Sequence, residues 1–128
     1  MVDRPWTPVE APATDRTYLA LVSYLPLKRF RTVPRFLRSA GAIAEQLERS
    51  PGLVGFAFRA KILARKFYTL SVWDDEGSLM AFVGAEPHRG AMRGLRTHMG
   101  TTKFVRWKVG GAGVPPSSED ALDVLRSG

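Results

Sequence analysis

The sequence predicts an α+β fold of βαββαβ order, and three observations predict it. Four short runs rich in β-branched and aromatic residues, at 18–25, 53–63, 67–73 and 101–109, are bounded by Pro, Gly or charged turns. Only Ala64-Arg65-Lys66 separates the second run from the third, which makes them a hairpin, though without an Asn-Gly turn. The first and third runs are each followed by apolar residues at helical spacing, and right-handed crossovers put both helices on the same side. The result is a ferredoxin-like, four-stranded antiparallel sheet with helices on one face.

Each element has its own signal. Residues 1–16, with Pro5, Pro8 and Pro12, read as an extended N-terminal arm ahead of a domain at 17–110. Pro26 ends the first strand. Thr32 is a plausible N-cap with Pro34 in the first turn, and Phe36, Leu37, Ala40, Ile43, Ala44 and Leu47 then mark a helix over 33–49. Ser50-Pro51-Gly52 stops it. Asp74-Asp75 caps a short helix through Leu79, Met80, Phe82 and Val83, and Pro87 opens a second helical piece over 87–98. Residues 111–128 read as a Gly/Pro linker and a short helix that starts at a Ser117–Asp120 capping box, with Ala121, Leu122 and Leu125 on one side.

Both faces of the predicted sheet are apolar. The first strand sets Leu19, Leu21 and Leu25 against Tyr18, Ala20, Val22 and Tyr24. The second sets Val54, Phe56, Phe58 and Ile62 against Leu53, Gly55 and Ala57. The last sets Val105, Trp107 and Val109 against Phe104, Arg106 and Lys108. Two helices cover one face, and monomers rarely leave so large a patch wet. A homodimer pairing these patches about a twofold axis is the expected cover. The N-terminal arm or the C-terminal helix is the other candidate.

Composition excludes several chemistries. With no cysteine among 128 residues, disulfides, thiolate catalysis and Cys-ligated zinc or iron–sulfur sites are ruled out. A net charge of +7 favours anionic partners, whether nucleic acid, carboxylates, phosphates or propionates. Met1 to Trp6 lacks the apolar segment of a signal peptide, and no apolar run approaches ~18 residues. A cytoplasmic protein with no membrane partner is expected.

The run Thr69-Leu70-Ser71-Val72-Trp73-Asp74-Asp75-Glu76, followed by Leu79-Met80-Ala81-Phe82-Val83 and Pro87-His88-Arg89-Gly90-Ala91-Met92, resembles the dimeric α/β-barrel superfamily. That superfamily holds the antibiotic-biosynthesis and haem-degrading monooxygenases. The resemblance is strongest to the spheroidene monooxygenase-like branch, whose late basic-aromatic strand Phe104-Val105-Arg106-Trp107 matches. The similarity spans residues 50–108. It implies a paired barrel with a pocket between sheet and helices, a monooxygenase-like oxidoreductase acting on a hydrophobic substrate, and haem as a cofactor. It offers His88 as the ligand to haem iron and Trp73 as a pocket wall. The chain departs from the family at one point: it has no asparagine, so the Asn-Trp-His set of the haem-degrading members is incomplete.

On the helical piece 87–98, His88, Ala91, Met92, Leu95 and Met99 share one stripe, while Arg89, Arg93 and Arg96 share another. His88 therefore sits on an apolar face directed to the sheet, where a neutral imidazole can ligate iron or move a proton near neutral pH. His88 is the candidate catalytic residue. His88, Arg89, Met92 and Trp73 are the candidate cofactor contacts, and Phe56, Phe58, Phe82, Leu95 and Trp107 the candidate pocket wall. Two basic clusters, Lys28 to Arg38 and Arg59 to Lys66, are either anion-holding groups or solvated faces. The alternative to an enzyme is a non-catalytic carrier of haem or another apolar, anionic small molecule. A third reading starts from Gly55-Phe56-Ala57-Phe58, which resembles part of the RNA-recognition signature. That pattern belongs on the third strand and follows a basic residue, whereas here it lies on the second and follows Val54.

Overall fold

The computed structural model describes residues 2–127, with side chains from residue 4 onward. Strands β1 (Val2–Pro8), β2 (Thr17–Pro26), β3 (Leu53–Lys61), β4 (Lys66–Trp73) and β5 (Lys103–Gly110) form one antiparallel sheet in the order β1-β3-β4-β2-β5. The helices are α1 (Val33–Glu48), α2 (Glu76–Val83), α3 (His88–Leu95) and α4 (Ser118–Ser127). The ferredoxin-like order is present as β2-α1-β3-β4-α2-α3-β5. No helix among the described residues is long and apolar enough to cross a membrane.

The sheet has five strands where the sequence suggested four. Residues 2–8, read as part of an arm, pair with β3 as an edge strand. Pro5 and Pro8 argued against a strand, but an edge strand tolerates a missing N–H. The register of this pair breaks between Arg4 and Thr7, around Pro5. Trp6 then lies flat on Gly55, so closely that a β-carbon on Gly55 would overlap the indole. A second irregularity, between Leu53 and Gly55, reverses the alternation at the start of β3. Leu53 therefore joins Phe56 under the helices, while Val54 packs on the opposite face with Val72.

Local signals explain most helix ends. The Asp75 carboxylate accepts from Ser78 N–H at 2.8 Å, and Ser117 Oγ accepts from Asp120 N–H at 3.0 Å, two N-caps made as the sequence implies. Thr32 makes no capping bond. It is buried in a 3₁₀ turn that feeds directly into α1.

The core lies in two layers. Beneath α1, α2 and α3, the helix face of the sheet buries Leu25, Phe67 and Ala60 against Phe36 and Leu95, and Phe56 and Trp73 against Ala44, Leu47 and Phe82. Side chains of this size each contribute about 1.5–3 kcal/mol on burial. On the opposite face, Ala121 and Leu125 of α4 bury Val22, and Trp6 packs on the cluster of Tyr18, Ala20, Val54 and Val72. The face expected to pair with a second copy is thus partly covered by Trp6 of β1 and by α4.

Candidate active site

Between the helix face of the sheet and α1–α3 lies a cavity of about 590 Å³. Its floor is set by strand register. Leu21 faces Ser71 across β2 and β4, and Ser23 faces Thr69, while Phe56 and Phe58 continue the same face on β3. Its roof comes from Phe36, Ala40 and Ile43 of α1, Phe82 of α2 and Met92 of α3. The charged side chains of the lining are Arg4, Arg59 and Arg106, and no carboxylate lines it. Arg106 is exposed at the rim beside Phe104 and pairs with Glu76 at 2.6 Å; Arg4 pairs with Glu48 at 2.6 Å.

His88 is the one imidazole in this lining. Its ring packs against Phe82, tilted by 49° with centroids 4.8 Å apart, and Nδ1 lies 3.2 Å from Val83 O. A carbonyl oxygen only accepts, so Nδ1 carries the proton in that bond and Nε2 keeps its lone pair in the neutral ring. Burial pushes the His88 pKa below its ordinary 6.5, and the Val83 carbonyl opposes part of that shift. The imidazole is therefore neutral at pH 7, in a defined tautomer.

Gln46 on α1 holds this histidine in place. Its carboxamide nitrogen donates to Phe82 O at 3.2 Å, and its oxygen accepts from His88 N–H at 2.9 Å. One side chain thereby gives the Phe82 carbonyl at the end of α2 a second donor beside Ala85 N–H and satisfies an orphan N–H at the start of α3. Trp73, fully buried behind the lining, donates from Nε1 to Ser71 Oγ at 2.9 Å and stacks on Phe82 at 5.2 Å.

Of the residues singled out from sequence, the structure brings His88, Met92, Phe56, Phe58, Phe82 and Leu95 together around the cavity. Three are placed elsewhere. Trp107 opposes Ala20 across β2 and β5, so it sits on the α4 face, packed near Val22 and Tyr18. Arg106, opposite Leu21, is the neighbour that faces the helices. Arg89 points outward and pairs with Glu86 at 2.9 Å. Trp73 supports the wall from behind rather than forming it. Sequence reasoning missed Gln46, although it is the chain's single carboxamide and follows Ile43 by three positions on the apolar stripe of α1. Because Phe56 is fully buried and Phe58 faces the helices, these rings do not make the exposed stacking platform of an RNA-recognition sheet.

No protein-family model matches the chain, and no curated protein matches it. Solved structures do. An antibiotic biosynthesis monooxygenase superposes with a TM-score of 0.63 at 13% identity, covering 70% of this chain and 95% of that one. A mutant of SnoaB, a cofactor-independent oxygenase from Streptomyces nogalater, gives 0.58 at 15% identity, over 70% and 90% of the two chains. A dimeric ferredoxin-like protein of unknown function from Thermobifida fusca gives 0.62 at 17% identity, over 76% and 95%. The chain thus has the ferredoxin-like fold found among antibiotic-biosynthesis monooxygenase-like proteins.

Proposed function

We propose that the protein is a small monooxygenase-like enzyme acting on a hydrophobic substrate held between sheet and helices. The observation that carries this reading is a largely apolar cavity bordered by a neutral histidine whose Nδ1–H is committed to a backbone carbonyl. The absence of carboxylates from the lining, with Arg106 at the rim, suits a substrate with an acidic group at one end. His88 Nε2 would accept a proton from the substrate, the apolar walls would exclude water, and Arg106 would orient the anionic end. The link to the spheroidene monooxygenase-like branch rests on the sequence blocks alone, and pairing with a second copy is part of the proposal.

Among cofactors, haem is the group that the residues fit. His88 offers a neutral donor nitrogen anchored through its other nitrogen, the arrangement usual for ligating histidines, and Arg106 would suit a propionate by exchanging its Glu76 partner for it. When bound, it would supply oxygen activation at iron. A cofactor-free enzyme would use the same histidine as a base. A carrier reading draws on the sparse chemistry of the lining, where His88 is the one imidazole among apolar side chains.

The test is a hemin titration of wild type and His88→Ala, followed by oxygen uptake with apolar phenolic and polyene acids. A Soret band lost in the variant supports haem ligation. Oxygen uptake that falls at least ~100-fold in His88→Ala supports catalysis with or without haem. Ligand binding with no oxygen uptake by any substrate favours the carrier. Failure to bind both hemin and every apolar acid would overturn the site.

A further inference from the structure

Three segments distant in sequence meet at one end of the molecule. Leu27 N–H donates to Arg65 O at 2.8 Å, Lys28 N–H donates to His98 O at 2.9 Å, and the Arg35 guanidinium donates to Gly94 O at 3.1 Å. Residues 27–38, 62–66 and 93–103 hold five, two and three Lys or Arg respectively, and no Asp or Glu. The ion pairs among the described residues use Arg4, Arg16, Arg89, Arg106 and Arg126, all outside these segments. Among the described residues, no carboxylate pairs with the cations of these three segments, so their charge is available to an anionic surface.

The same end exposes apolar side chains. Leu63, in the β3–β4 hairpin, is 89% exposed, and Phe30, just ahead of α1, is 51% exposed. The Arg65 guanidinium lies 4.8 Å from the centre of the Phe30 ring, which ties the hairpin to the start of α1. Cations alone adsorb to any polyanion. Cations flanking a protruding Leu and Phe match a surface with phosphate outside and hydrocarbon beneath.

We infer that this end docks on an anionic lipid bilayer, with Leu63 and Phe30 entering the acyl boundary and the surrounding Lys and Arg meeting headgroup phosphates. Nucleic acid would use the charges and could stack on Phe30, but it gains nothing from an aliphatic side chain at a hairpin. Such surface contact needs no spanning helix, and it departs from the expectation of no membrane partner. Phe36, Met92 and Leu95 line the cavity and adjoin Arg35, Arg93 and Arg96 of this end, so an apolar ligand dissolved in the bilayer would be met close to its site. The docking stands whether or not the cavity is catalytic.

The experiment is co-sedimentation of the full chain with phosphatidylcholine vesicles, with and without about 30 mol % phosphatidylglycerol. Binding is expected to the anionic vesicles only, and to weaken steeply in about 0.5 M salt. The double variant Arg29→Glu/Arg31→Glu is expected to bind at least about 25-fold more weakly, at roughly fivefold per charge. Phe30→Ser/Leu63→Ser is expected to lose roughly tenfold, with only a small fall in thermal unfolding, since Leu63 is 89% exposed and Phe30 half exposed; Leu63→Ser alone should leave unfolding unchanged and still weaken binding. Arg126→Glu on α4 is the control and keeps wild-type binding. No binding to anionic vesicles at low salt would overturn the inference. Binding untouched by the Phe30/Leu63 substitutions would reduce it to nonspecific adsorption and overturn it equally. So would a single-stranded oligonucleotide that binds more tightly and strips the protein from the vesicles.

Discussion

His88 is pulled two ways. Burial disfavours its charged form, while the Val83 carbonyl favours it, and burial prevails. With its folded pKa below the unfolded value of 6.5, the unfolded chain binds more protons in the window just under 6.5. Stability from this residue is therefore complete above pH 6.5 and declines as pH falls through the window. Urea unfolding from pH 5 to 8 should show the loss in wild type, and His88→Phe should remove that part of the slope. An equal slope in both proteins would mean that the histidine is solvated. The sequence exposed His88 because helical spacing put it on an apolar stripe. It misplaced Trp107 because the face of a β5 residue depends on its register with β2, which no local pattern specifies. It was silent on Gln46 because a single buried amide leaves no periodic trace.

At the scale of elements, Gln46 joins α1 to the α2–α3 junction. Gln46→Leu keeps the volume but leaves Phe82 O and His88 N–H without that partner. It should cost about 1–3 kcal/mol in chemical denaturation. Any hemin or substrate-acid affinity should drop with it, and Gln46→Glu should restore part of that affinity, since its carboxylate still accepts from His88 N–H. The edge strand offers a second test. Gly55→Val drives a side chain into Trp6 and should destabilise by about 1–3 kcal/mol, and the accompanying loss of Trp6 packing is readable by tryptophan fluorescence. Strands β2–β5 and the helices were legible because their apolar residues recur at strand or helix spacing. The edge strand was not, since its prolines imitate a loop and half of its hydrogen-bonding groups need no partner in the sheet.

Across the whole molecule, the sheet's second face decides the assembly. Apolar patterning on both faces pointed to a second cover, with a twin subunit expected ahead of the chain's own segments. Patterning does not say what supplies the cover, and here α4 supplies part of it, burying Ala121 and Leu125 beside Val22. What remains is a groove of about 370 Å³ between α4 and the strands, bordered by Ala57, Tyr68, Leu70, Pro116 and Leu122. The proposed pairing with a second copy would engage this face only through that groove while α4 is docked. Undocking the helix should strengthen it, because Val22, Tyr24, Leu70, Val105 and Trp107 would then need a new cover. Leu125→Glu places an uncompensated charge under α4 and should free the helix while leaving the α1–α3 side intact. Sedimentation equilibrium should then show self-association roughly tenfold stronger or more than in wild type, since even one or two reburied side chains of this size supply that much. Hemin or apolar-acid binding on the other side of the sheet should persist. If Leu125→Glu stays monomeric at concentrations where wild type is monomeric, this face is not a pairing surface, and α4 is simply the outer layer of the core.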